Sequence, residues 1–240
     1  LLWIGCGGEA PAPPEEPAAT LPPASYPVVI FLIDTLRADR LGVYGYPLDT
    51  SPRIDALAAE SVLFEQVHSP APWTLPSVVS LMLSEPICEH NVLHDRQRID
   101  EAAVPLAARL GQLGYATASF HVNPYAGRLS GLDRGFDVSR LVRRQNNGAR
   151  VAKWLRTLPE GRPFFLYLHN TEPHQPFAAR DHHLRALGYE VPKPVREELG
   201  ELVEQYRRLT RRDFAKRQPL GTIDNTEEQR RAMERIASYR

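Results

Sequence analysis

Cysteine is almost missing from this chain: two in 240 residues, Cys6 and Cys88. Long apolar runs are missing as well, and no stretch approaches the roughly 20 apolar residues needed to span a bilayer as a helix. Charge of one sign is not in excess, since 29 basic residues face 29 acidic ones. With no basic block in the first half, nothing in the charge recommends a nucleic-acid partner. What is present is enough apolar material, in 27.0 kDa, for one large α/β domain or two small ones. One domain is the simpler expectation, and its substrate has to be read from a site.

The chain opens LLWIGCGGEAPAPPEEPAATLPPASYP, without an initiator methionine. That opening reads as the front of a longer precursor that has been cut. LLWIGC resembles the end of a bacterial lipoprotein signal, in which small residues after an apolar run precede a lipidated cysteine. Cys6 is then the expected lipidation site, although a chance apolar tail explains the same letters. Cys88 would be left alone, so no intrachain disulfide framework would exist. From Glu9 to Pro27 the Pro/Ala/Glu-rich composition cannot build a core and reads as an extended tether. The expectation is a leader and tether over residues 1–26 and a catalytic domain over 27–240. Such a protein works outside the cytoplasm, in the periplasm or anchored by lipid to a membrane.

VVIFLID (28–34) is a continuous β-branched and apolar run ending on a carboxylate, the pattern of a buried parallel strand. SPRIDALAAES predicts a helix capped by Ser51, with Pro52 in the first helical position and Ile54, Leu57 and Ala58 on one apolar face. TLPSVVSLML predicts a second helix and VPLAARLGQLG (104–114) a third. YATASFHV (115–122) reads as a strand. After a loop containing LDRGFD, GARVAKWLRTLP (148–159) has helical spacing, and PFFLYLHN (163–170) is another buried strand. Charged helical sequence follows beyond Val191, in VREELGELVEQYRRL and EEQRRAMERIASYR. The βα alternation predicts an α/β fold with a mostly parallel central sheet and helices on both faces.

Ligands of an open parallel sheet bind outside the carboxyl ends of its strands. Asp34 closes the first predicted strand, where a carboxylate after an apolar run needs a partner such as a metal or a helix end, or else simply caps the next turn. Thr74, at the start of an amphipathic helix, reads first as an N-cap. The same geometry serves chemistry, because free N–H groups at a helix start favour an anionic ester and the charge that develops on it. LHNTEPHQPF (168–177) puts His169 and His174 around an acidic turn, as metal ligands, leaving-group partners or plain loop residues. Each signal is weak alone, and together they stand in the order that a metal-assisted ester-cleaving site requires.

Four ordered segments carry a resemblance: IDTLRADRLGVYGY with SPRIDALAAESVLFEQVHS, then APWTLPSVVSLM, then LAARLGQLGYATASFHVN with LDRGFD, and finally FFLYLHNTEPHQPF. Over about Pro27 to Phe177, and more loosely beyond, the chain resembles the sulfatases of the alkaline phosphatase superfamily. The resemblance implies that superfamily's α/β fold and a divalent metal ion, with Ca, Mg, Mn and Zn not distinguished. By position it implies Asp34 as a metal ligand, Thr74 as nucleophile and metal contact, His174 near the leaving oxygen and His169 as a substrate contact. The substrate would be a small-molecule, glycan or lipid ester of sulfate or phosphate, cleaved by an ester hydrolase.

The chain also departs from that pattern. Thr35 stands where sulfatases often carry a second acid. Sulfatases convert a Cys or Ser at the nucleophile position to formylglycine, usually with Arg after the Pro-Ser pair; Thr74 and Val78 occupy those positions. The usual Thr-Gly and His-Gly pairs read Leu83-Ser84 and His90-Asn91. No Asp-His-Gly type segment follows His183, so either the chain is incomplete at its C-terminus or the metal site is. Two other expectations therefore stand beside the hydrolase: a phosphoethanolamine or glycerophosphate type transferase of the cell envelope, and a non-catalytic protein that keeps the fold.

Overall fold

The structure, a computed structural model, describes residues 26–142, 147–174, 181–190 and 192–215. The expected lipidation site Cys6, the tether before Tyr26 and the last charged segment (227–240) lie outside those residues. The chain divides into two compact units. One holds the residues up to 32 together with 70–93 and 97–169; the other holds 33–69, 94–96 and 170 onward.

The first unit is built on a four-stranded sheet. Its strands are β1 (Val28–Ile33), β2 (Ala116–His121), β3 (Val138–Leu141) and β4 (Phe164–Asn170), in the order β1-β4-β2-β3. β2 runs parallel to both neighbours, with Ala116 opposite Phe164, His121 opposite His169, and Ala118 opposite Val138. This is the mostly parallel α/β class the sequence predicts. All six β2 residues are buried. Their alternation sorts them by face: Ala116, Ala118 and Phe120 join Leu166, Val142 and Trp154 in one apolar cluster. Trp154, the one buried residue of helix α5 (Asn147–Leu155), meets Phe120 and Phe164 edge-on at 6.4 and 5.8 Å.

β1 differs from its expectation. Val29 and Phe31 are 52% and 57% exposed, because among the described strands β1 lies at the sheet's edge and only alternate side chains are covered. β3 was not foreseen, since VSRL is short, has two adjacent polar residues in its middle and is half exposed. What places it is the LDRGFD turn before it. The Asp137 carboxylate accepts the Thr117 N–H at 2.9 Å, the Thr117 hydroxyl donates to the Gly135 carbonyl at 2.9 Å, and the Asp137 N–H donates back to that hydroxyl at 2.8 Å. Arg134 donates to the Asp100 and Glu101 carbonyls, and Phe136 stacks on Phe165 at 5.6 Å.

Helix α2 (Thr74–Leu83) buries Leu75, Val78, Val79, Met82 and Leu83. Trp73, with extended backbone, takes the cap position and Thr74 begins the helix proper, so the expectation that Thr74 is the N-cap is corrected by one residue. Pro76 falls in the first turn, where its missing N–H has no helical partner to lose. The helix ends on Ser84 with φ 58°, and the short helix α3 (Ile87–His90) ends on Asn91 with φ 50°. Both are the positions where the resemblance has glycine, and both backbones are left-handed, which explains the glycine. His90 ties the two helices. Its Nδ1 accepts from the Val92 N–H at 3.0 Å, which leaves the proton on Nε2, 2.9 Å from the Ser80 hydroxyl. Helix α4 (Leu106–Gln112) contacts both β2 and α2.

In the second unit, helix α1 (Pro52–Ala58) starts with Pro52 as expected. The Ser51 hydroxyl makes no cap bond; it accepts from the Gly42 N–H at 2.9 Å and donates to the Asp55 carboxylate at 3.0 Å. The expected apolar face is only partly used, as Leu57 is exposed. Two further helices, α6 (Asp181–Ala186) and α7 (Lys193–Ala215), follow, the latter over the charged segment beyond Val191.

Candidate functional site

At its carboxyl end β2 passes through Val122 into Asn123, which caps a single 3-10 turn over Pro124–Ala126. The Asn123 Oδ1 accepts from the Tyr125 N–H at 3.0 Å. Its other end, Nδ2, donates to the Thr74 Oγ1 at 3.2 Å. Trp73 meets Tyr125 edge-on at 5.8 Å, and α2 packs on this turn. Thr74 is thereby fixed at the carboxyl edge of the central strand, half-buried, on the first residue of a helix whose next two residues are buried. Within this unit that is where an α/β sheet binds its ligands, and the first-turn N–H groups of a helix favour an anion there.

His169, the penultimate residue of β4, is 0% exposed, and its Nδ1 lies 3.0 Å from the Tyr167 hydroxyl. Across the sheet it pairs with His121, whose Nδ1 lies 2.9 Å from the Ser119 hydroxyl. Two histidines thus close two neighbouring strands at one level, each bonded to a hydroxyl two residues earlier on the same face. Burial, and then the neighbouring His169, push His121 down to about 4 from its usual 6.5, while Asp133 acts in the opposite sense. His121 is held neutral near pH 7. The close approach of Gly127 to its ring explains that glycine, since a Cβ there would collide with the imidazole.

Asp34 and His174 belong to the second unit. Asp34 follows directly on β1, and its N–H donates to the Asn170 carbonyl at 2.8 Å. The Asn170 side chain accepts the Glu172 N–H at 2.8 Å, and the Thr171 carbonyl accepts the His174 N–H at 3.1 Å. Asn170 and Thr171 therefore shape the backbone of both Asp34 and His174. Thr35, at the position of the missing second acid, has φ 59°, an unusual conformation for a β-branched residue. Strained backbone of this kind clusters at functional sites. In short, Thr74 and His169 fall in one unit, Asp34 and His174 in the other.

Among the described residues no three His, Cys, Asp or Glu side chains come together to hold a metal ion. A catalytic divalent ion of the expected kind asks for several oxygen or nitrogen donors. The described residues do not by themselves fit such an ion. Cys88 is free and exposed.

Sequence reasoning missed two residues. His121 was read only as the end of a strand; the matching Ser-x-His and Tyr-x-His spacings of β2 and β4 were the available signal. Asn123 lies in sequence just past the predicted strand 115–122, near the expected site edge, where a polar loop residue is more often structural than catalytic. No sequence signal joins it to Thr74, because that contact is made by the fold.

The α/β sheet thus carries a helix-start hydroxyl at the carboxyl edge of β2, a position suited to an anion. Residues 27–208 match the Sulfatase family model, more than half of the chain, and the protein belongs to that family. YhbX of Escherichia coli K12, provisionally named a transferase, is 30% identical over 64 residues, which is 27% of this chain and 12% of YhbX. Solved structures share the fold at low identity. BT4656, in complex with its substrate D-glucosamine-2-N,6-O-disulfate, superposes with a TM-score of 0.59 at 16% identity over 71% of this chain and 40% of its own. The phosphonate monoester hydrolase of Agrobacterium radiobacter gives 0.56 at 17% identity over 88% and 55%. The C-terminal periplasmic domain of EcEptC from Escherichia coli, solved with Zn, gives 0.53 at 17% identity over 71% and 51%. The chain spans about half or less of each of these relatives.

Proposed function

We propose that the protein hydrolyses sulfate or phosphate esters through Thr74. The observation that carries this reading is the Thr74 hydroxyl, held by Asn123 at the carboxyl edge of β2 on the first turn of α2. In the proposed step the Thr74 oxygen forms a bond to sulfur or phosphorus as the bond to the alcohol oxygen breaks. The hydroxyl proton passes to solvent hydroxide, and the departing alkoxide takes a proton from His174. Water then hydrolyses the threonyl ester and regenerates the hydroxyl. His174, His169 and Asp34 take their roles of leaving-group donor, substrate contact and metal ligand from family position. Oxidation of a threonine's secondary alcohol gives a ketone and never the aldehyde of formylglycine, so the Thr74 oxygen itself must be the nucleophile in this reading.

A transferase is the second reading, favoured by the match to YhbX. It shares every step except the last, in which an alcohol replaces water. Work outside the cytoplasm is part of the proposal, supported by the likeness to a periplasmic domain. No helix among the described residues is long and apolar enough to cross a membrane.

The test uses the full gene product with aryl sulfate, aryl phosphate and phosphodiester substrates. Thr74→Ala is expected to lower kcat/KM by on the order of 10³-fold or more. A Thr74→Ala protein as fast as wild type overturns the reading. A phosphothreonine adduct discharged by alcohols but never by water selects the transferase.

A further inference from the structure

We propose that Asn123 is a catalytic residue, whose side-chain amide donates to the Thr74 oxygen and stabilises the negative charge that gathers there as the hydroxyl loses its proton. This rests on Thr74 being the nucleophile and goes beyond it by naming the group that prepares its oxygen.

Three observations carry the inference. First, the amide has one orientation. Its oxygen accepts the Tyr125 N–H at 3.0 Å, and turning the amide over would set an NH2 against that N–H, donor against donor. The NH2 end is thus committed to the side where the Thr74 Oγ1 lies, 3.2 Å away. Second, both partners sit on fixed supports. Asn123 leaves the carboxyl end of a strand whose six residues are all buried, and it caps a turn containing Pro124 and the buried Tyr125. Thr74 follows Trp73, whose ring rests edge-on against Tyr125, and it precedes the buried Leu75 and Pro76. A donor fixed before the reaction costs no reorganisation when charge develops, the condition under which such donors act most strongly. Third, the bond has the chemically useful direction. A hydroxyl oxygen has one proton to give and two sites to accept at. An amide N–H occupying one acceptor site leaves the Thr74 proton directed elsewhere.

A purely structural alternative exists, in which the same bond clamps α2 to the edge of β2. The two readings part on Asn123→Asp. A carboxylate in this place still accepts the Tyr125 N–H, so the turn and the clamp persist, yet it has no N–H for the Thr74 oxygen and sets a negative charge beside it. The experiment compares wild type, Asn123→Asp, Asn123→Ala and Thr74→Ala in the full gene product. It measures kcat and KM with p-nitrophenyl sulfate and bis-p-nitrophenyl phosphate, affinity for orthovanadate, which needs no turnover, and thermal unfolding. The expected result is an Asn123→Asp protein that unfolds within a few degrees of wild type, loses about 10²-fold in kcat with little change in KM, and binds orthovanadate correspondingly more weakly. Asn123→Asp with wild-type kcat overturns the proposal, as does activity that merely follows stability across the two Asn123 variants. Failure of the parent reading looks different, because Thr74→Ala would then match wild type in both turnover and orthovanadate binding.

Discussion

His121 shows what a single buried titratable group implies for the molecule. Its folded-state value of about 4 lies below the ordinary 6.5, chiefly through burial and then through His169, with Asp133 acting against them. A depressed value means that the unfolded chain takes the proton first. The stability contributed by neutral His121 is full above about pH 6.5 and is lost as pH falls towards about 4, where the loss levels off. Over that window it amounts to about 3 kcal/mol. Urea unfolding midpoints at pH 7, 5.5 and 4 check this against His121→Gln, which has no imidazole to protonate. Equal pH slopes in the two proteins would refute it. Single residues were read unevenly from the sequence. Thr74 was legible as a helix-start residue because its Pro-Ser sequel and apolar run are local signals, and it was off by one as a cap because Trp73 takes the extended conformation. Asn123 was not legible as a partner of Thr74, since only the packing of α2 on the turn after β2 brings them together.

Elements were legible in proportion to how far local pattern decides them. β4 is apolar enough to demand the interior, and β2 lies there too although Thr117, Ser119 and His121 alternate with its apolar residues. β1 has the strongest apolar run of all and still lies at the edge of the described strands, because strand order is set by connections between distant segments. β3 carries almost no pattern of its own and is positioned by the hydrogen bonds among Thr117, Gly135 and Asp137. Gly135 is the point on which that turn depends. Its φ is +85°, and a Cβ there would collide with the backbone of Ala108 at the start of α4. Gly135→Ala therefore combines a left-handed penalty of about 1–2 kcal/mol with overpacking of about 1–3 kcal/mol. A loss of about 3 kcal/mol in chemical denaturation is expected, with β2, β3 and α4 affected together. A change below about 0.5 kcal/mol would mean that the turn can shift at no cost.

At the scale of the whole molecule, the α/β class and its parallel sheet followed from the alternation of strands and helices, while the division into two units did not. IDTLRADRLGVYGY runs without a break from the end of β1 into the second unit, and nothing in its composition marks a boundary. The metal expectation is also a whole-molecule matter. The described residues bring no three ligating side chains together, and elemental analysis of the dialysed chain for Mg, Ca, Mn and Zn measures whether the remaining residues complete a site. One tightly held equivalent would show that the ligands are present after all.

The strand order β1-β4-β2-β3 also bears on how the protein is made. Among the described strands β1 is made first, and its neighbour β4 is made last. At ~5–20 residues per second, the wait between synthesis of Val28 and of Phe164 is on the order of ten seconds. During it β1 carries unpaired backbone edges and an apolar row including Val29 and Phe31, the kind of surface that invites pairing with another nascent chain. β2 and β3 are close in sequence, so both partners of that parallel pair are made well before β4. Among the described strands, β1 is therefore the one whose pairing waits longest on synthesis of the rest of the chain.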